Sequence, residues 1–241
     1  MPDISLVVPV WDNLVLTQNS VMMFLYCTHS DLEVIIVDNG SSDGTWAWCR
    51  QVMEDEPRFH AIHNKENRGY GPGLNQGLMA AKGEYLVCLN NDVVVYHTEW
   101  CEQLVAPLRA NPRLICGARV ISGNRWVEVD NWVPDYLEGY CLAFHRQFLT
   151  DVGFFDEHFA PAFVEDVEIC WRAEQHGYQM ELVPMVASGL HHLYGKTTYV
   201  RHAADTPHRE ITRRNAEYFR KKVREGNDAP FYPEGWVPEV S

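Results

Sequence analysis

The first 95 residues alternate between short apolar runs and segments in which apolar residues recur with helical spacing. The apolar runs cover residues 4–10, 32–38, 61–63 and 85–89. Helical spacing covers residues 12–25, 45–53 and 72–81, and Asp12 or Asn13 is a good N-cap for the first helix. An almost wholly apolar run is typical of a strand that is buried on both faces. The alternation predicts an α/β fold with a mostly parallel central sheet and helices on both faces.

The rest of the chain is less regular. The spacing predicts helices over residues 99–110, 166–176 and 205–224, with Gly177 ending the second of them. Strand-like residues lie at 114–121, 140–144 and 181–186. No internal repeat, low-complexity stretch or linker interrupts residues 1–241, so a single domain is expected.

Composition and charge exclude several classes of protein. With 46% hydrophobic and 22% charged residues, the chain is neither disordered, collagen-like nor a coiled coil. The net charge of −13 makes nucleic acid a poor partner, because phosphate contacts need a basic surface. No apolar run approaches the roughly 20 residues that span a bilayer, and the first residues show no secretory pattern, which favours a cytoplasmic location. Seven cysteines without a CxxC pair are expected to be buried free thiols.

Four stretches are too polar for the strands and helices that they adjoin. They are residues 37–45, 67–77, 89–92 and 163–168, the last followed by 191–197. Asp38 and Asp92 come at the carboxyl ends of predicted strands, where parallel sheets bind ligands, so they are expected to line one crevice. The glycines of residues 69–77 allow a ligand close to the backbone, but they form neither a dinucleotide fingerprint nor a P-loop.

In their order and spacing, these motifs resemble family 2 of the glycosyltransferases. The resemblance runs from about residue 4 to residue 197, with a weaker echo at 215–222. It implies the Rossmann-like GT-A fold and inverting transfer of a sugar from a nucleotide-diphosphate sugar. It assigns the nucleotide to about residues 1–95 and the acceptor and catalysis to about 96–204, with 205–241 as a C-terminal helix and tail. The Asn-Asn-Asp form is similar to that of rhamnosyltransferase-like bacterial enzymes of polysaccharide biosynthesis.

The resemblance also implies which residues bind the donor. They are Pro9, Trp11, Asp38, Arg68, Gly69, Asn75 and Asn91. In that interpretation Asp38 accepts hydrogen bonds from the base or the ribose, Trp11 stacks on the base and Arg68 offsets phosphate charge. The alternatives are that Asp38 only caps the following turn, that Trp11 is an ordinary packed residue and that Arg68 is a solvated surface residue.

A metal site is implied at Asp92, with His192 completing its shell and His191 as the alternative ligand. A leaving diphosphate needs a divalent cation, and oxygen ligands suit Mg²⁺ or Mn²⁺, with imidazole favouring Mn²⁺. Residues 90 and 91 are both Asn, so only Asp92 supplies a carboxylate there, and metal affinity without the diphosphate is expected to be weak.

In the same family an acidic residue deprotonates the acceptor hydroxyl as general base. The role aligns with Asp166, and Glu165 is the competing residue. The alternative is that these are acidic residues in the first turn of a helix, where the helix dipole favours them.

Seven basic residues crowd the end of the chain: Arg209, Arg213, Arg214, Arg220, Lys221, Lys222 and Arg224. On an amphipathic helix they indicate either contact with an anionic membrane at its inner face, which suits a lipid-linked acceptor, or a solvated helix face. Trp126 and Trp132 are expected either to stack on acceptor sugars or to pack in the core.

The sequence does not separate UDP, dTDP and GDP donors. A sugar-nucleotide pyrophosphorylase and a non-catalytic sugar-nucleotide or glycan-binding relative are the alternative functions.

Overall fold

The computed structural model describes residues 2–26, 31–183, 190–193 and 208–237. Its β-strands are β1 (Ile4–Val10), β2 (Leu32–Asp38), β3 (Phe59–His63), β4 (Tyr85–Leu89), β5 (Val93–Val95), β6 (Leu114–Gly117), β7 (Val120–Ile121), β8 (Tyr136–Leu137), β9 (Cys141–His145), β10 (Gln179–Leu182) and β11 (Leu190–His192). Its α-helices are α1 (Leu14–Tyr26), α2 (Thr45–Asp55), α3 (Tyr70–Ala80), α4 (Trp100–Ala110), α5 (Gln147–Asp151), α6 (Glu165–Gln175) and α7 (His208–Glu225). Two short 3₁₀ turns cover Arg125–Val127 and Glu157–Phe159.

A seven-stranded sheet forms the centre of the fold, in the order β10-β6-β9-β4-β1-β2-β3. All neighbouring pairs are parallel except the two that involve β9. The mostly parallel sheet predicted from the sequence is therefore confirmed. The register places Val10, Asp38 and His63 side by side at the carboxyl ends of β1, β2 and β3.

Hydrophobic cores cover both faces of this sheet. Strands β1 and β2 are buried along their whole length, as their apolar runs predict. One core contains α1, α2 and α4, and the other contains α3, α6 and α7. Helix α3 lies so close to the sheet that a Cβ on Gly77 would be 2.3 Å from Cγ1 of Val7. The helices on both faces are thus confirmed. The expected buried free thiols are also confirmed for the six cysteines that the structure describes.

Helix α1 begins directly after Asp12 and Asn13, the two residues that the sequence offers as its N-cap. Asp12 and Asn13 have positive φ angles of 54° and 60°, and the helix begins after them at Leu14. The N–H of Leu14 donates to Oδ2 of Asp43 at 2.8 Å, while Oδ1 of Asp12 accepts from the N–H of Ser42. Asp43 thus accepts the first N–H of α1 from the neighbouring loop, and the two hydrogen bonds join the loops that follow β1 and β2.

A small antiparallel sheet forms beside the end of β4. Strand β11 pairs with β5 so that His192 is opposite Val93, the residue after Asp92. The peptide N–H of Leu193 donates to the carbonyl of Asp92 at 3.0 Å. A segment about 100 residues further along the chain is thereby fixed next to the Asn-Asn-Asp turn.

Candidate active site

Asp92 is 1% exposed and lies just after the carboxyl end of β4. Neither of its carboxylate oxygens receives a hydrogen bond from the part of the chain that the structure describes. Nε2 of His192 lies 3.1 Å from Oδ1 of Asp92, and Nδ2 of Asn90 lies 3.1 Å from the same ring nitrogen. A buried carboxylate that receives no hydrogen bond is costly unless a positive charge accompanies it.

The His192 ring is oriented by stacking. Its centroid is 4.6 Å from that of Tyr140, with 18° between the planes. A carboxylate and an imidazole form a donor set suited to Mn²⁺. In the described ranges no group of three or more His, Cys, Asp or Glu side chains forms a complete metal cage. The alternative ligand, His191, lies in β11, but its side chain is outside the described residues, as is the rest of its motif, 194–197.

Asp38 ends β2 and is fully buried. Its Oδ1 accepts from the N–H of Ser41 at 3.0 Å, and its Oδ2 lies 2.8 Å from Nδ1 of His63. The His63 ring stacks on Trp46 with a centroid distance of 4.6 Å. The structure thus places Asp38 at the expected edge of the sheet, but beneath His63 and not at the surface of the cleft.

The other expected donor residues are placed differently from one another. Pro9 is buried near the end of β1. A Cβ added to Gly73, at the start of α3, would lie 3.1 Å from the Cβ of Pro9. Trp11 is half-buried at the same edge, and Arg68 is exposed in the loop before α3. Pro9 and Trp11 thus lie at the carboxyl end of β1, where the sequence predicts the nucleotide, and donor binding by Arg68 stays a prediction.

Two expected donor residues, Asn75 and Asn91, have contacts inside the protein. The Asn75 side chain is fully buried; its Nδ2 donates to the carbonyl of Phe155 and to Glu157, and its Oδ1 accepts from the N–H of Phe155. Nδ2 of Asn91 donates to Oγ1 of Thr17 in α1 at 2.9 Å. Each amide nitrogen thus holds two segments of the fold together, and donor binding by Asn75 and Asn91 stays a prediction.

Gly69 is packed against the segment that precedes α6. Its φ angle is 103°, and a Cβ there would be 3.0 Å from Cα and from the carbonyl oxygen of Pro161. The N–H of Tyr70 donates to that same carbonyl at 2.8 Å. The glycine is needed for this close backbone contact, which the sequence did not predict.

Glu165 and Asp166 open α6 side by side. Oδ2 of Asp166 accepts from the N–H of Gly139 at 3.1 Å, and Oδ1 accepts from the N–H of Val167 at 2.9 Å. Glu165 is 7% exposed, and its Oε2 is buried without a hydrogen-bond partner among the described residues. Burial, followed by the charge of Asp166, raises the pKa of Glu165. Burial also raises the pKa of Asp166, although its two backbone N–H donors oppose the rise.

The segment Gly139–Tyr140 joins the two acidic groups into one site. Gly139 donates to Asp166, while Tyr140 stacks on His192. Tyr70 completes the connection, since its hydroxyl donates to the carbonyl of Gly139 at 2.8 Å. Burial, and after it the charges of neighbouring groups that include Glu165, Asp166 and Asp92, raises the pKa of Tyr70. Tyr70 is therefore linked through Gly139 and Tyr140 to both Asp166 and His192.

A pocket of about 230 Å³ adjoins the carboxylate pair. It is lined by Asn124, Trp126, Val127, Tyr136, Glu138, Phe163, Val164, Glu165, Asp166, Val167 and Thr212. Trp126 is 53% exposed at this pocket, and Trp132 is also exposed, so neither is a core residue. Aromatic rings beside carboxylates are suited to binding a sugar ring and its hydroxyl groups.

The backbone before the carboxylate pair is strained. Phe163 and Val164 have φ angles of 77° and 74°, a region that a β-branched residue rarely adopts. Asn215 of α7, which is 1% exposed, places its Nδ2 within 2.7–2.9 Å of the carbonyls of residues 159, 162 and 163. The hydrogen bonds from Asn215 thus hold the strained segment in place. The only sequence signal of this contact is that Asn215 falls within the weak echo at 215–222.

A buried ionic network also anchors α7. Nζ of Lys222 lies 2.9 Å from Asp156 and 2.6 Å from Glu168, and Arg172 pairs with Glu168 at 2.8 Å. Arg220 donates to the carbonyls of residues 126 and 128, Arg214 donates to the carbonyl of residue 160, and Arg224 pairs with Asp130. With Lys221, whose Nζ lies 4.0 Å from Glu225, five of the seven basic residues contact the chain itself. Membrane contact through Arg209 and Arg213 stays a prediction. None of the described helices is long and apolar enough to cross a membrane.

The chain matches a known protein family and is similar to curated proteins of two bacteria. The family model described as Glycosyl transferase family 2 matches residues 5–168. A poly-beta-1,6-N-acetyl-D-glucosamine synthase of Staphylococcus aureus is 24% identical over 173 residues, which cover 64% of this chain and 41% of that protein. The Sinorhizobium fredii protein y4gI, described as uncharacterized, is 23% identical over 255 residues, covering 92% of this chain and 27% of that protein. The chain therefore spans less than half the length of these relatives.

Two solved structures share the fold. The Pyrobaculum calidifontis mannosyltransferase PcManGT, in complex with GDP-Man and Mn²⁺, matches 77% of this chain and 55% of its own with a TM-score of 0.64 and 24% identity. GalNAc-T7 with UDP, GalNAc and Mn²⁺ matches 79% of this chain and 43% of its own with a TM-score of 0.66 and 16% identity. These likenesses confirm the expected GT-A fold.

Proposed function

Because the chain belongs to glycosyl transferase family 2, we propose that it moves a sugar from a nucleotide-diphosphate sugar to a hydroxyl group of a saccharide or lipid-linked acceptor, with inversion at the anomeric carbon and the help of a divalent cation. The observation that carries this proposal is the Asp92 carboxylate, which is 1% exposed, receives no hydrogen bond from the described residues and has Nε2 of His192 3.1 Å from its Oδ1. In a nucleotide-sugar transferase such a carboxylate would be one ligand of a divalent cation.

Asp92 and His192 would hold Mn²⁺ or Mg²⁺. Their oxygen and nitrogen donors fit such an ion, and two ligands alone bind it weakly, so most of the affinity comes with the diphosphate. When bound, the cation supplies positive charge against the departing nucleoside diphosphate. The Mn²⁺ and nucleotides of the two structural neighbours are consistent with this assignment.

Asp166 is the proposed general base. Its two oxygens accept backbone N–H groups, which favour the ionised form and fix the carboxylate in position. Glu165 has no such donor on Oε2, and burial beside Asp166 favours its protonated form. Two adjacent carboxyl groups in unlike environments take different roles, so Asp166 accepts the acceptor's proton while Glu165 keeps its own. The resemblance to family 2 implies a single displacement, in which Asp166 takes the acceptor's proton and the anomeric carbon is inverted.

The pocket beside Asp166 is the proposed acceptor site. Its Trp126, Tyr136 and Phe163 rings suit a sugar ring, and Asn124, Glu138 and Thr212 offer polar contacts to hydroxyl groups. Both a free saccharide and the terminal sugar of a lipid-linked saccharide present the same chemistry to such a pocket.

The test combines nucleotide binding with a transfer assay. We expect UDP, dTDP or GDP to raise the midpoint of thermal unfolding only when Mn²⁺ is present, since a ligand that binds the native state stabilises it. Asp92→Asn is expected to lose that Mn²⁺-dependent shift. Asp166→Asn is expected to keep the shift and to lose transfer, while Asp55→Asn, at an exposed carboxylate of α2, changes neither.

Each outcome separates the candidate functions. Nucleotide binding without transfer in the wild type would favour the non-catalytic relative. Full transfer by Asp166→Asn would remove Asp166 from the mechanism, and Mn²⁺-dependent binding by Asp92→Asn would place the cation elsewhere.

A further inference from the structure

The burial of Asp38 raises the question of what contacts the nucleobase. Asp38 is 0% exposed, and both of its oxygens have partners in the protein, the N–H of Ser41 and Nδ1 of His63. A base that approached this edge of the sheet would meet His63 first, because the His63 side chain is 33% exposed above the carboxylate.

His63 is held in one orientation. It is the last residue of β3 and lies opposite Asp38 in the strand register. Its ring stacks on Trp46 with 17° between the planes. An ionised carboxylate only accepts hydrogen bonds, so the proton of a neutral His63 ring must be on Nδ1. Nε2 then carries a lone pair and is an acceptor. Among the described residues, Nε2 makes no hydrogen bond.

The position of His63 fits the base end of a nucleotide. In the sheet order β4-β1-β2-β3, His63 is three strands from β4, whose end leads to Asp92. At about 4.8 Å per strand this is about 14 Å. If the diphosphate lies at Asp92, a nucleoside that crosses the carboxyl ends of β1 and β2 brings its base toward His63. This step rests on the proposed function.

We propose that His63 reads the nucleobase, with Nε2 accepting a ring N–H, and that Asp38 acts as a positioning residue that sets the His63 tautomer. Uracil and thymine offer N3–H, and guanine offers N1–H. Cytosine N3 and adenine N1 are acceptors and would face the Nε2 lone pair. The site therefore selects UDP, dTDP or GDP, the three donors that the sequence does not separate, against CDP and ADP, and His63 is the residue to which this selection is assigned.

The test measures dissociation constants of the five nucleoside diphosphates with Mn²⁺ by calorimetry. For the wild type we expect at least one of UDP, dTDP and GDP to bind about 10-fold to 100-fold more tightly than CDP and ADP, the cost of one buried mispaired polar group. His63→Phe keeps a ring beside Trp46 but has no nitrogen, and it should lose that preference. His60→Phe is the matched control on the same strand, with a side chain 45% exposed and a contact to Glu33, and it should keep the preference.

Asp38→Asn is the decisive variant. The new amide keeps an oxygen for the N–H of Ser41 and can donate its N–H to Nδ1 of His63, which moves the ring proton to Nε2. We expect its preference to shift toward CDP or ADP, a change that a merely structural role of Asp38 would not produce. The unfolding midpoint without nucleotide checks that each variant is folded.

The outcomes separate this inference from the proposed function. If UDP, dTDP or GDP binds and His63→Phe keeps the wild-type preference, His63 does not read the base, although the function stands. Preference of the wild type for CDP or ADP overturns the inference in the same way. If none of the five binds, both proposals fail.

Discussion

Replacing Lys222 with Met tests how much the buried ionic network of Lys222, Asp156 and Glu168 contributes to the free energy of unfolding. Lys222 is the cation between Asp156 and Glu168, and the side chains of all three are at most 5% exposed. Met keeps most of the aliphatic length but removes the charge. Arg172 still pairs with Glu168, whereas Asp156 is left with His158 and Tyr218 as side-chain neighbours. Removing one partner of a buried ion pair costs about 3–5 kcal/mol.

The assay is unfolding of the variant beside its matched control, Lys221→Met. Lys221 is the adjacent residue, 69% exposed and 4.0 Å from Glu225, so its loss should change the free energy of unfolding by less than about 0.5 kcal/mol. At roughly 2–4 °C per kcal/mol for a chain of this size, Lys222→Met should lower the midpoint of thermal unfolding by about 6–20 °C.

The pH dependence gives a second readout. Burial by itself raises the pKa of Asp156, but the hydrogen bond and charge of Lys222, together with the hydrogen bonds from His158, outweigh burial and hold that pKa at about 2. The stabilisation from this lowered pKa is complete above the unfolded value near 3.9 and is lost as the pH falls toward 2. In Lys222→Met protonation relieves the buried carboxylates, so the stability difference from wild type should shrink between pH 7 and pH 3. Equal effects of the two substitutions, or a difference independent of pH, would refute the reasoning.

Two further predictions concern catalysis. Asn215→Ala should lower kcat about 10-fold to 100-fold with the donor dissociation constant unchanged, because Asn215 holds only the segment before the carboxylate pair; an equal loss in Glu217→Ala, an exposed position of the same helix, would contradict this. Glu138→Gln removes a negative charge that raises the pKa of Asp166. Since the base works only when ionised, the acid limb of the pH–kcat/KM profile should move to lower pH, and an unmoved limb would exclude Asp166 as the titrating base.

Elements that are determined by residues close together in the chain could be predicted from the sequence. The buried runs of β1 and β2 predicted a parallel sheet, and strand ends followed by polar residues predicted where Asp38 and Asp92 lie. Strand β9 was readable as extended, but not as the antiparallel member between β4 and β6, because its direction depends on pairing across about 55 residues.

Residues whose roles depend on distant partners were not readable. Asn75 is of a residue type that often binds ligands. Its side-chain amide nevertheless donates hydrogen bonds to Phe155 and Glu157, about 80 residues away. The basic run of α7 resembles a solvated or membrane-facing surface, yet Lys222 is buried against Asp156 and Glu168. Charge patterning along one helix carries no information about such partners.

The contacts of α7 also set an order of events during synthesis. Asp166 leaves the ribosome 59 residues before Glu225, the last residue of α7, a delay of roughly 3–12 s at the usual translation rates. Throughout that interval the nascent chain contains the carboxylate pair without Asn215 or Lys222. The sheet edge where we propose that the nucleotide binds can therefore form before α7 docks, whereas the proposed acceptor side is complete only afterwards.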